Sequence, residues 1–156
     1  MNRNKGFTLV EILIVVIILG ILAAIVIPQF TEASNDARES ALASDLQTVR
    51  SQLELYKVQH LENYPGIDPS DGTLDAVEFV NQLTGRTNAA GEIGTDAATY
   101  PFGPYLQAFP TNPFATANGN TVAGGAGAPE ADGDPGWWFR TGVGRFSPND
   151  SAHSAL

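Results

Sequence analysis

From Phe7 to Ile27 every position is apolar except Thr8, Glu11 and Gly20. Wound as an α-helix, a stretch of that length spans roughly 31 Å, the thickness of a bilayer core. The pattern therefore predicts a membrane-crossing helix. It does not stop there: Phe30, Ala33, Ala37 and Ala41 extend an apolar line, and Leu42, Leu46, Val49, Leu53 and Tyr56 follow at steps of 4, 3, 4 and 3. Those steps mark one face of an amphipathic helix. Glu39, Asp45, Arg50, Glu54 and Lys57 occupy the other face, and Asn63-Tyr64-Pro65-Gly66 reads as its end. Pro28 lacks an N–H and its ring clashes one turn back, while Gly20 weakens the helix from the other side, so the stretch between them is the expected place to kink or open.

Beyond residue 65 the pattern changes. Residues 71–73 offer cap chemistry for a short helix carrying Leu74, Val77, Val80 and Leu83 on one side and ended by Gly85. Residues 86–99 are polar and read as loop. Residues 100–106 and 109–114 are rich in proline, which excludes a long central strand and suits a rigid connector over the helix. Residues 118–122 read as the start of a hairpin and residues 123–135 as a Gly/Ala/Pro/Asp loop. Trp137-Trp138-Phe139-Arg140 and Arg145-Phe146 read as two strands around Thr141-Gly142-Val143-Gly144, with one tryptophan facing the helix. The fold class is α+β: a long N-terminal helix, half stem and half packing face, on a small C-terminal antiparallel sheet. About 128 residues beyond Pro28 suffice for one modest core.

Glu11 is the anomaly of the stem. An ionised carboxylate costs about 2.5–3.5 kcal/mol near the bilayer centre on the insertion scale, and no Lys or Arg lies between Phe7 and Ile27 to offset it. An α-amino group at that depth would exist at Phe7 if the chain were cut after Gly6. With 8 basic and 17 acidic residues the chain carries −9, and without Arg3 and Lys5 six scattered cations remain, which argues against nucleic acid as a partner. Cysteine is absent, so there is no disulfide, thiolate nucleophile or zinc–thiolate site. Ser147, Asp150 and His153 crowd a polar tail without the rigid turn and oxyanion donors of acyl transfer, and His60 reads as a surface or boundary residue, so no enzyme is expected. Glu130, Asp132, Asp134 and Asp150 supply hard oxygen donors in loops that Gly133 and Gly136 allow to turn. They are a tentative Ca²⁺ set, against the plain reading that acidic loop residues are solvated.

Lys5-Gly6-Phe7-Thr8-Leu9-Val10-Glu11, behind a short basic leader (Arg3, Lys5) and ahead of the apolar stretch, resembles the processing signal of type IV pilins and type II secretion pseudopilins. The resemblance implies that a prepilin peptidase cuts between Gly6 and Phe7 and methylates the Phe7 amine. It divides the chain into a leader (1–6), a membrane and filament-core helix (7–28), its amphipathic continuation (29–64) and a periplasmic or extracellular globular region (65–156). Tyr105-Leu106 with Pro110-Thr111-Asn112-Pro113-Phe114 is similar to a segment of the major pseudopilins, and Gly136-Trp137-Trp138-Phe139 with Gly144 and Pro148-Asn149 is similar to the C-terminal hairpin of several pilin-like proteins. Residues 87–99 and 123–135 are insertions relative to that pattern. Major pseudopilins commonly hold Ca²⁺ in their C-terminal loops. Many type IV pilins close a C-terminal loop with a disulfide, so the lack of cysteine leans toward secretion.

The function this implies is a structural subunit. It is stored in the inner membrane with its soluble region outside the cytoplasm, then polymerised through its stem into the pseudopilus of a type II secretion system. The Phe7 amine of one subunit would pair with Glu11 of the next, and Gly20 and Pro28 would let the helix open. The resemblance adds a platform protein and a motor ATPase as partners. A type IV pilus subunit for adhesion, motility or DNA uptake uses the same stem, and a monomeric membrane-anchored binding protein would be unprocessed. An ordinary signal peptide cut near Ala23-Ala24 fits less well, because the apolar run continues through Ile25-Val26-Ile27 and such a peptide needs no Glu near its start.

Overall fold

A computed structural model of the chain describes residues 6–130 and 132–156, with nothing described of the Asp132 side chain. Residues 1–5 of the expected leader lie outside the described residues. The chain divides into two compact units, one ending at Ser40 and one spanning Ala41–Leu156. The elements are α1 (Leu9–Gln59), α2 (Ala76–Thr84), β1 (Arg86–Thr87), β2 (Ile93–Gly94), β3 (Val122–Gly125), β4 (Asp132–Arg140) and β5 (Arg145–Asp150).

α1 is one helix of 51 residues. Within the second unit it buries Leu42, Leu46, Val49, Leu53 and Tyr56, the stripe its periodicity predicts. It ends earlier than expected. Leu61 and Glu62 adopt positive φ, and the Glu62 N–H donates to the Lys57 carbonyl, so the chain leaves the helix at Gln59 and not at residue 64. The stripe packs into one core with Phe79 and Leu83 of α2, Leu106 of the proline-rich connector, Val122, and Trp137, Phe139 and Phe146 of the sheet.

α2 differs in detail from its sequence reading. Its cap is Asp75, whose Oδ1 accepts the Val77 and Glu78 N–H groups at 2.9 Å each, while residues 71–73 form a separate turn closed by Asp71. With the helix starting at Ala76, the inward positions fall on Phe79, Gln82 and Leu83, and Val77 is exposed. Gly85 ends it as expected. The approach to α2 needs glycine at residue 66. There φ is +63°, and a Cβ would sit 2.5 Å from the Asp75 carbonyl oxygen.

The main sheet is mixed, with order β3-β4-β5. β4 and β5 form the expected antiparallel hairpin, with Phe139 opposite Phe146 and Trp137 opposite Pro148. β3, however, runs parallel to β4, Val122 beside Trp137, so residues 118–122 do not open a hairpin. Val122 pairs with Trp137, fifteen positions on, so the chain returns to the same end of the sheet before that pairing, which antiparallel pairing through a tight turn would not require. β4 also begins at Asp132, inside the expected loop, and is bulged between Asp132 and Trp137. β1 and β2 form a small antiparallel pair inside the stretch expected to be loop. Trp137 is the tryptophan that enters the core. It stacks on Phe146 with ring centroids 5.0 Å apart and donates its Nε1–H to the Pro110 carbonyl at 2.9 Å.

Two buried polar residues tie α1 to the segments around α2. Gln82 uses its whole amide: Oε1 accepts from the Tyr56 hydroxyl and the Gly66 N–H, both at 2.8 Å, and Nε2 donates to Glu78 at 2.8 Å and to the Gly91 carbonyl at 2.9 Å. His60 is buried, contrary to the boundary position expected of it. Its ring stacks on Tyr56 at 3.7 Å. Nδ1–H donates to the Tyr56 carbonyl and Nε2 accepts from the Thr87 hydroxyl, each at 2.8 Å, which sets the tautomer. No buried side-chain nitrogen or oxygen among the described residues lacks a hydrogen bond.

Gln82→Leu strips partners from the Tyr56 hydroxyl and the Gly66 N–H, and is expected to cost about 3 kcal/mol in chemical denaturation of the detergent-solubilised chain. Burial pushes the His60 pKa below the usual 6.5. The unfolded chain then binds more protons than the folded one between that lowered value and 6.5. Stability is thus expected to be full above pH 6.5 and to decline as the pH falls through the window below it. Thermal melts from pH 7.5 to 5 check this, with His60→Gln expected to flatten that part of the profile.

Candidate assembly stem

The first unit presents a bare apolar helix. Every described residue from 6 to 40 is exposed, including Phe7 at 84 % and the run of Leu, Ile and Val that follows. α1 has the length and composition to cross a membrane, and none of its most apolar stretch is covered by the chain itself. Leu9, Val10, Leu13, Ile14, Ile17 and Ile18 stand ready to be buried by something else, each worth about 1.5–3 kcal/mol when removed from water.

The start of this helix carries a role for Glu11 that its charge alone does not reveal. Thr8 is the residue before the first helical position. Its N–H and hydroxyl both donate to Glu11 Oε2, at 2.8 and 2.7 Å, and the Glu11 N–H donates back to the Thr8 hydroxyl at 3.3 Å. This is a capping box, and Thr-x-x-Glu before an apolar run is its sequence signature. It satisfies N–H groups that would otherwise face hydrocarbon, and it places the carboxylate at the positive end of the helix dipole. Among the described residues no ion pair involves Glu11. Thr8 is the functional side chain that reading the charges alone passes over.

Gly20 and Pro28 both lie within the unbroken helix. A Cβ at Gly20 would meet nothing within 4 Å, so no packing inside the chain demands glycine there. Pro28 leaves the Ala24 carbonyl without its usual N–H, and the Thr31 hydroxyl donates to the neighbouring Ile27 carbonyl at 3.2 Å.

The acidic residues of the C-terminal loops do not assemble into an ion site among the described residues. No group of three or more His, Cys, Asp or Glu side chains gathers there. Asp150 is buried and already engaged. Its Oδ1 accepts from the Ala152 and His153 N–H groups and from His153 Nδ1 at 2.6 Å, and its Oδ2 accepts from Asn112 at 3.2 Å. Asp134 accepts from Asn118 at 2.8 Å, Glu130 is exposed, and Asp132, opposite Asp150 in the strand register, has no described side chain. The described residues of the tentative Ca²⁺ set therefore do not fit an ion by themselves. Asp150 instead closes the turn that follows β5, an Asx turn with His153 added. Ser147 is buried on β5, and the His153 ring lies against Phe114 at 4.3 Å.

The prokaryotic N-terminal methylation motif matches residues 1–27. The type II secretion system core protein G of Klebsiella pneumoniae is 30 % identical over 114 residues, 73 % of this chain and 71 % of that protein. The chain belongs to the core protein G family. Its relative from Aeromonas hydrophila is 31 % identical over 113 residues, covering 72 % of this chain and 69 % of that protein. The relative from Pseudomonas aeruginosa is 40 % identical over 64 residues, 41 % of this chain and 44 % of that protein. No solved structure matches the chain significantly. Membership of the core protein G family accounts for the long apolar helix joined to a small α+β region, the pilin type of fold.

Thr8→Ala removes two of the three capping bonds and is expected to cost the first turn about 1 kcal/mol. Hydrogen exchange of the Leu9 to Glu11 amides in detergent should accelerate about fivefold, with exchange around Leu53 unchanged.

Proposed function

We propose that this chain is a pseudopilin, the structural subunit that polymerises through its stem into the pseudopilus of a type II secretion system. The observation that carries this reading is the stem itself: a membrane-length apolar helix uncovered by its own chain, opening on the methylation motif, in a member of the core protein G family. Before assembly, lipid covers the stem in the inner membrane, with the basic leader inside and the globular region outside the cytoplasm. A prepilin peptidase cuts between Gly6 and Phe7, and the Phe7 amine, exposed at the end of the helix, is methylated and stays cationic.

Assembly exchanges lipid contact for helix contact. The Phe7 amine of an incoming subunit pairs with Glu11 of a subunit already in the filament, removing two charges that are each costly in an apolar core. Glu11 is held for this by Thr8, so the carboxylate is pre-oriented and its helix end stays satisfied while the cation arrives. Packing of Leu9, Leu13, Ile17 and their neighbours supplies the cohesion. Opening of the helix between Gly20 and Pro28 lets the stem follow the helical array, and the empty space around Gly20 leaves room for a neighbouring helix. A platform protein in the membrane and a motor ATPase drive the insertion of subunits. The role of the chain is structural and not enzymatic.

Intact mass of the protein from its native membrane is expected to show loss of residues 1–6 and gain of one methyl group. A full-length mass would favour a simple anchor. Glu11→Ala is expected to lower the yield of sheared filaments at least tenfold with processing intact, and normal filaments from this variant would overturn the pairing. Filaments that stay short and periplasmic accompany secretion, whereas long surface fibres under native expression would make this a type IV pilus subunit.

A further inference from the structure

The chain contains a single Asn-Gly pair, Asn118-Gly119, and the fold favours both residues where they stand. Asn118 holds φ at +44°, a left-handed conformation that asparagine, aspartate and glycine tolerate best. At Gly119 a Cβ would sit 2.9 Å from Thr111 Cγ2 and 3.0 Å from the Asn112 carbonyl oxygen, so a larger residue would crowd the connector. The pair also ties three segments together. The Asn118 carbonyl accepts from the Thr121 N–H at 2.9 Å, the Thr121 hydroxyl at 2.7 Å and the Gly136 N–H at 3.2 Å, joining the turn before β3 to β4. The Gly119 carbonyl accepts from the Asn112 N–H of the proline-rich connector at 2.8 Å. Asn118 Nδ2 donates to Asp134 Oδ1 at 2.8 Å.

Two features leave this junction chemically exposed. Asn118 lies at the surface, so water reaches its side chain. The Gly119 N–H takes no part in the described hydrogen bonds, and glycine puts no Cβ beside that nitrogen. We propose that Asn118 is a self-modification site, at which the Gly119 backbone nitrogen attacks the Asn118 carboxamide and converts the residue to aspartate or isoaspartate. The nitrogen forms a bond to Asn118 Cγ, the Cγ–Nδ2 bond breaks, and Nδ2 leaves as ammonia with the proton given up by the Gly119 nitrogen. Water then opens the cyclic imide. Opening at Cγ gives an aspartate at position 118, whereas opening at the backbone carbonyl gives isoaspartate, with the chain running through Cγ and longer by one methylene. One water is consumed and one ammonia released, with no change of oxidation state. Loss of ammonia makes the change irreversible, so the extent of conversion records the age of the subunit.

Either product puts a carboxylate where an amide donated to Asp134, replacing a hydrogen bond by like-charge repulsion. Isoaspartate also displaces the carbonyl that holds Thr121 and Gly136, which loosens the start of β3 from β4. This chemistry needs only the globular region and water, whatever the stem assembles into.

The test keeps the solubilised full chain folded at mildly alkaline pH in heavy-oxygen water and locates the label by peptide mass spectrometry. Label is expected at position 118 at least tenfold faster than at any other asparagine, with isoaspartate among the products. Hydrogen exchange of the Thr121 and Gly136 amides should accelerate at least threefold in the aged protein, with exchange around Leu53 unchanged. Asn118→Gly keeps the left-handed turn and removes the reactive amide, and is expected to age without label at that position and without the acceleration. No preferential label at position 118 in the folded chain, when the same chain in denaturant does take it up there, would overturn the site. Label at position 118 with Thr121 and Gly136 still protected would overturn the loosening of the sheet.

Discussion

The physical constraint on which this protein turns is that its most apolar surface finds no cover within its own chain. A folded domain of this size lowers its free energy by burying nonpolar side chains against each other, and residues 41–156 do so around Trp137, Tyr56 and Phe79. The stretch from Leu9 to Ile27 has no such option. It must be covered by lipid or by copies of itself, and those two environments have nearly the same polarity. Hydrophobicity alone therefore gives little preference between membrane and filament, and the choice falls to packing and to the few polar groups present.

That places unusual weight on the first turn of α1. In an apolar surrounding, the free N–H groups of a helix end and an ionised Glu are both expensive. The capping box between Thr8 and Glu11 sets the two against each other, and it does so before any other subunit arrives. What the cap leaves is net negative charge at the mouth of the stem, opposite in sign to the cationic Phe7 terminus proposed for a processed neighbour.

The globular region contributes rigidity. Gln82 Oε1 joins Tyr56 of α1 to α2 and the Gly66 turn, and His60 Nε2 joins the end of α1 to Thr87 of β1, so the buried part of α1 is held by directional bonds as well as by its apolar stripe.

Periodicity and charge along the chain determined the stem, the buried stripe from Leu42 to Tyr56, the Trp137 to Phe146 hairpin and the processing signal, because each is a local pattern whose meaning does not depend on distant residues. Thr8 is legible in the same way, as Thr-x-x-Glu ahead of an apolar run. The tertiary structure decided the rest. The parallel pairing of β3, the cap at Asp75 in place of residues 71–73, the burial of His60 against Tyr56, and the closing of Asp150 onto Asn112 and His153 all rest on contacts between residues far apart in the chain. The meeting of Arg50 with Arg145 is the plainest case. Ninety-five positions separate them, no period connects them, and only the packing of β5 on α1 puts their charges side by side.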